Sequence, residues 1–344
     1  MAVKLQSIIN LPKVLLHDHL DGGIRAQTVI DLANEMNVLL PENSAQKLSQ
    51  WFYAEIASKD FQRGLAIFAI TCSVMQTEAA LERVAYETIS DAAKDNIIYI
   101  ETRFCPHLHI QKGLTYKQVI DSVIRGLNRG RQEFGVEYGV LLCGIRNFKD
   151  EINLQIAQIC FDYLGHGVIG YDFAGADIGF PLSNHPKTLS LLKYHHIPLT
   201  VYAGEAAGID AIIEALDIGA MRIGHACTIF NNDNQSLIEE TLQRIKNEQV
   251  HIEINISSNI AIGSVVDFAS HPVKKLFDRG INLALNTDDR LLLNNTLSGE
   301  YYTLTENYGL GLKDIMKMNN NAMQSSFAAK DIKDAILRKL SSVR

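Results

Sequence analysis

The residues best suited to chemistry begin with His17 and His19, inside the run Val14-Leu15-Leu16-His17-Asp18-His19-Leu20-Asp21-Gly22-Gly23. Side chains two apart on an extended chain point the same way. Two imidazoles so spaced at the end of a short apolar strand can reach one metal ion, with the carboxylate of Asp21 and paired glycines close behind. A His-x-His pair is equally two polar residues at a strand end. The metal reading gains weight because later segments keep returning polar groups to the ends of apolar runs. Those groups are Asp172 and Asp177, Glu205 after Tyr202-Ala203-Gly204, His225, Ser257-Ser258-Asn259, and the pair Asp288-Asp289. Each has a plainer role alone: Glu205 as an acid at a helix N-terminus, His225 as a hydrogen-bonded core residue, Asp288-Asp289 as a solvated turn. Together, three imidazoles, a glutamate and a carboxylate pair are the parts of metal-assisted hydrolysis.

Such groups converge only if the chain carries them to one place. Helical periodicity predicts helices near 78–95, 116–134, 150–164, 185–194, 208–218, 235–248 and 271–279, alternating with short β-rich runs at 97–101, 138–142, 168–172, 199–202, 222–225, 251–255 and 281–285. With the opening strand this makes eight, which predicts an α/β fold, a parallel (β/α)8 TIM barrel, more readily than an open sheet. Chemistry in such barrels sits on the loops after the C-terminal strand ends, where the polar groups fall. A helix over Arg25 to Asn37 and an apolar stretch from Trp51 to Met75, with Phe52, Phe61, Leu65 and Phe68, predict extra helices after the first strand, their aromatics serving mainly as core. The chain from Leu312 onward reads as helices packing outside. No linker or near-identical repeat interrupts residues 1–344, so one domain is expected.

Composition excludes several classes. Of the 344 residues, 47% are hydrophobic and 21% charged, which suits a globular chain with a sizeable core. A net charge of -7 with no basic block argues against nucleic acid as a partner. No apolar run approaches a membrane span, and residues 1–12 lack an apolar segment after a basic start, so a cytoplasmic protein is expected. The five cysteines are odd in number and form no CxxC pair, so they read as small buried residues. Oligomeric state leaves no signature here.

The segments L-P-K-V-L-L-H-D-H-L-D-G-G, I-E-T-R-F-C-P-H, G-Y-D-F-A-G, A-G-E-A-A-G, R-I-G-H-A, S-S-N and L-N-T-D-D resemble, in order along nearly the whole chain, those of the adenosine deaminase family of zinc amidohydrolases. The resemblance implies the barrel and assigns roles. His17, His19 and Asp288 would hold Zn2+, which lowers the pKa of a water toward about 7. His225 and Asp288 would orient the resulting hydroxide toward C6 of a purine, and Glu205 would protonate N1. His19, Asp21, Gly175 and Asp289 would contact the base and sugar of a purine nucleoside. The family reads His-Ala-Gly-Glu where this chain has Tyr202-Ala203-Gly204-Glu205, so one zinc imidazole is replaced by a phenol. Three outcomes follow: zinc on three protein ligands, Tyr202 ligating as phenolate, or a nucleoside-binding protein that has lost hydrolysis. Ala176-Asp177, where the family usually has Asp-Glu, leaves the purine open, with adenine or a nucleotide as alternatives; Arg290 beside Asp289 is the one candidate phosphate contact.

Overall fold

The computed structural model describes residues 3–59 and 61–342, and of 61–66 the backbone alone. Eight strands among these residues form one sheet in sequential order: β1 (Lys13–His19), β2 (Ile97–Phe104), β3 (Glu137–Ile145), β4 (Val168–Ala174), β5 (Leu199–Ala203), β6 (Arg222–His225), β7 (His251–Ile254) and β8 (Leu283–Leu285). Every adjacent pair is parallel. The seam between β8 and β1 is closed by a single parallel bridge, Asp18 to Asp288, and by the Asn286 carbonyl oxygen, which accepts the amides of Leu16 and His17 at 3.0 Å each. A side chain thus supplies hydrogen bonds that the three-residue β8 is too short to provide.

The strands are near-continuous apolar runs because both faces are covered, by helices outside and by the barrel interior within; every residue of β1, β5, β6, β7 and β8 is buried. Between β1 and β2 the chain inserts helices Ala26–Met36, Ala45–Ile56 and Phe61–Val74 before Glu78–Lys94, as the periodicity predicts. The expectation that their aromatics are core holds for Phe52, which is fully buried, and not for Phe68, which lines the cavity described below. The side chains of Phe61 and Leu65 lie outside the described residues. The C-terminal helices Leu312–Ser325 and Lys330–Ser341 pack outside, and Asn319 accepts the Val14 amide at 2.7 Å. No helix among the described residues is long and apolar enough to cross a membrane, and all five cysteines are buried and unpaired.

Barrel interiors are ordinarily filled by branched aliphatic side chains; this one carries ions. Arg103 on β2 contacts Asp172 and Glu253 at 2.9 Å each, and Arg222 on β6 contacts Glu101 at 2.6 Å and Glu253 at 2.7 Å. Buried charges are tolerable only when paired in this way. Asp172 belongs to this layer, which corrects the expectation that it reaches the rim.

Candidate active site

His17 and His19 project from the end of β1, and Asp288 follows β8 after Asn286 and Thr287. Asp288 Oδ1 lies 3.1 Å from His17 Nε2 and 3.3 Å from His19 Nε2. Four donors at tetrahedral angles around zinc, with bonds of 2.0–2.1 Å, stand about 3.3 Å apart, so this buried set fits the ion. The Asp288 backbone is tied to β1 in both directions: its amide donates to the His17 carbonyl and its carbonyl accepts from the His19 amide, each at 3.0 Å. Asp288 holds a left-handed φ of 58°, and His225, the last residue of β6, one of 71°. Non-glycine residues held there cost on the order of 1–3 kcal/mol each and concentrate at functional sites.

Tyr202, on β5, meets the same donors. Its hydroxyl is 2.7 Å from His17 Nε2, hydrogen-bonds His19 Nε2 at short range, and lies 3.4 Å from Asp288 Oδ1. Burial and then the Asp288 charge push its phenol well above the usual range, so without a cation it stays protonated. Gly224 makes room for this packing, since a Cβ there would lie 3.2 Å from both the His17 and Tyr202 rings.

Support comes from residues the sequence reading passed over. Glu253, inside β7, accepts from His17 Nδ1 at 2.8 Å, which leaves Nε2 with its lone pair toward the donors. Burial alone would raise the Glu253 carboxyl, but Arg103 and Arg222 hold it well below the usual range. A charged residue within the apolar run His251-Ile252-Glu253-Ile254 is the signal that could have flagged it. His225 is oriented by a chain of hydrogen bonds. The Val273 amide donates to His271 Nδ1 (3.2 Å), His271 Nε2 to Asn259 Oδ1 (3.2 Å), and Asn259 Nδ2 to His225 Nδ1 (2.9 Å). His225 therefore keeps its proton on Nε2, an atom with no hydrogen-bond partner among the described residues. Burial drops its pKa to about 3, so the ring is neutral.

Glu205, partly buried after β5, lies 3.5 Å from His225 Nδ1. Burial, then Asp288 and Asp177, raise its carboxyl well above the usual range. Asp177 also shapes the loop: it accepts the amides of Glu205, Ala206 and Ala207 at 3.0, 3.1 and 3.1 Å, a nest for its charge that fixes where Glu205 points. Burial and then Asp288 drive Asp289 in the opposite sense from its neighbour, well above the usual range, whereas Asp288 is held well below it: burial opposes, and His17 with His19 prevails. Asp289 Oδ1 has no partner among the described residues and packs so closely that a Cβ on Gly22 would sit 1.7 Å from it, which explains that glycine; a Cβ on Gly23 would instead meet Arg290 and the His19 carbonyl oxygen at 2.6 Å.

These groups open onto a cavity of about 530 Å³ at the C-terminal mouth of the barrel, within the usual range for small-molecule sites. His19, Asp21, Gly175, Glu205, His225, Asp288 and Asp289 all line it. Asp21 Oδ1 lies 3.9 Å from His19 Nδ1. Arg290 does not line it; its guanidinium is committed to Asp18 at 2.6 Å.

The family model for adenosine deaminase matches residues 12–343. The adenosine deaminase of Mycobacterium ulcerans is 35% identical over 339 residues, covering 95% of this chain and 93% of that protein. An Arabidopsis N6-mAMP deaminase superposes with a TM-score of 0.84 at 24% identity, over 98% of this chain and 100% of that one. An amidohydrolase from Burkholderia ambifaria, solved with bound Zn, superposes with a TM-score of 0.86 at 19% identity, over 99% and 93%. At these identities the two structures show the shared barrel only. The sequence matches carry more: over nearly its full length the chain belongs to the adenosine deaminase family, a family of hydrolases.

Proposed function

We propose that this protein hydrolytically deaminates a 6-aminopurine nucleoside, adenosine or 2′-deoxyadenosine, with a zinc ion on His17, His19 and Asp288. The observation that carries the reading is that His19 and Asp288, with His17 grouped beside them, share one cavity with Glu205, whose carboxyl is raised, a neutral His225 and Asp289. Zinc, when bound, supplies Lewis-acid activation of a water at neutral pH. The chain's own groups do the rest. Glu205, its carboxyl raised by burial and by Asp288, is suited to donate a proton to purine N1 and make C6 a better electrophile. His225, with its proton fixed on Nε2, orients the attacking water by a hydrogen bond, and the ionised Asp288 stands ready to accept a proton. Asp289, its carboxyl raised by burial and by Asp288, is suited to donate to an acceptor such as N7. The Gly175 amide faces N3, and Asp21 takes a sugar hydroxyl.

A nucleoside suits this cavity better than a nucleotide. The only Lys or Arg among the described residues lining it is Lys59, which is exposed, and Arg290 is held by Asp18. A second reading, nucleoside binding without hydrolysis, is favoured by one observation, the Tyr202 hydroxyl bonded to both metal-facing imidazoles. The two separate in one experiment: zinc content of the purified protein, and the conversion of adenosine, adenine and AMP at saturating zinc. Turnover of adenosine above the other two supports the proposal. Purine affinity with no turnover at any zinc level establishes the second reading.

A further inference from the structure

One wall of the cavity holds a second convergence. Asp21 comes from the loop after β1, Cys72 from helix Phe61–Val74, and His109 from the short turn Pro106–His109 after β2. They are 3%, 3% and 0% exposed. His109 Nε2 stands 3.5 Å and Cys72 Sγ 4.0 Å from the same oxygen, Asp21 Oδ2, and all three donor atoms lie within 4.8 Å of one another. Bond lengths of about 2.0–2.2 Å to N and O and about 2.3 Å to S put tetrahedral zinc donors about 3.3–3.6 Å apart, slightly inside the observed spacing.

The tautomer of His109 points the same way. Its Nδ1 lies 3.2 Å from the Met75 carbonyl, so Nδ1 carries the hydrogen and Nε2 turns a lone pair toward the carboxylate. Among the described residues neither His109 Nε2 nor Asp21 Oδ1 has a hydrogen-bond partner, although both are buried. The Nε2 lone pair faces the other carboxylate oxygen, Asp21 Oδ2, at 3.5 Å, and two electron-pair donors so placed are stabilised by a cation between them. An imidazole whose other nitrogen is held by a backbone carbonyl is the usual form of a metal-ligating histidine. Cys72 and Asp21 line the cavity, so an ion has a way in and an open position toward the cavity.

We propose that Asp21, Cys72 and His109 form a second site for a zinc-class divalent cation, separate from the donor set of His17, His19 and Asp288. On binding, Cys72 Sγ–H gives its proton to solvent and the sulfur ligates as thiolate. Because Asp21 is the residue assigned to the sugar hydroxyl, an ion there competes with the nucleoside; that corollary alone rests on the proposed function.

The test uses cobalt(II) as the probe and reads the near-ultraviolet thiolate-to-cobalt charge-transfer band, which the sulfur-free set at His17, His19 and Asp288 does not produce. In the folded full-length protein the band should saturate with an amplitude of one cobalt thiolate site per chain, whatever further cobalt the sulfur-free set takes up. It should vanish in Cys72→Ser, need at least about 10-fold more cobalt in His109→Gln, and persist in His17→Ala. It should persist also in Cys105→Ser, which removes the neighbouring buried thiol on the same cavity wall. Thermal melts confirm that each variant is folded. A folded wild type without the band, or a band that survives Cys72→Ser, overturns the proposal. No turnover is read, so failure of the deaminase reading leaves the result standing.

Discussion

Replacing Tyr202 with histidine probes the one position where this chain departs from its family within the donor set. The phenol sits 2.7 Å from His17 Nε2 and 3.4 Å from Asp288 Oδ1, inside the space that a cation held by those atoms would share. Imidazole is shorter, so it withdraws from that space while offering a neutral nitrogen. A phenol ligates well only after losing its proton. With an unperturbed pKa of about 10, that costs about 4 kcal/mol at pH 7, at about 1.36 kcal/mol per unit. Burial and Asp288 raise the cost further. A neutral imidazole escapes this term, which corresponds to a gain of about 1,000-fold in zinc affinity before the burial cost is counted. The floor is about 10-fold, the smallest effect typical of losing a group that merely supports a ligand. Chelator competition on metal-stripped protein measures the affinity. Wild-type affinity should also rise more steeply with pH than that of Tyr202→His, because only the phenol must release a proton. Adenosine turnover at limiting zinc should rise in parallel. Equal affinity and equal pH slope in the two proteins would refute the reasoning, showing that position 202 does not face the ion.

Three further outcomes follow from the same geometry. Glu205→Gln keeps the shape and removes the proton, so adenosine turnover should drop about 10²–10⁴-fold while zinc content and ligand affinity hold; a similar loss of affinity would make Glu205 a binding group instead. Glu253→Gln takes the hydrogen-bonded carboxylate from His17 and leaves Arg103 and Arg222 short of a partner. Zinc affinity should fall about 10–100-fold, and urea unfolding should show a loss of about 3–5 kcal/mol. Asp177→Asn removes one of the charges that raise Glu205. Glu205 acts as an acid only while protonated, so the alkaline limb of kcat/KM marks its titration. Lowering its pKa moves that limb to lower pH, and a limb that stays in place would show that the Asp177 charge does not reach Glu205.

Local pattern suffices for elements whose signals are local. The alternation of apolar runs and helical stretches locates all eight strands, and the i, i+2 spacing puts His17 and His19 on one side of β1, because pleat and helix period are properties of a few consecutive residues. The identities of Glu205, His225, Asp288 and Asp289 were readable as well, since each stands where a strand ends. What the sequence could not hold are relations between residues far apart in the chain. Arg290 reads as a phosphate contact beside Asp289, yet the turn after β8 sends it to Asp18. Asp172 reads as a rim residue, but its side chain joins the buried Arg103 layer. Glu253 and His271 look like ordinary strand and loop residues until folding places them behind His17 and His225. Burial and Coulombic neighbours, which raise the carboxyls of Glu205 and Asp289 and lower that of Asp288, likewise exist only once the barrel closes and brings those charges within a few ångströms of one another in a medium that screens them poorly.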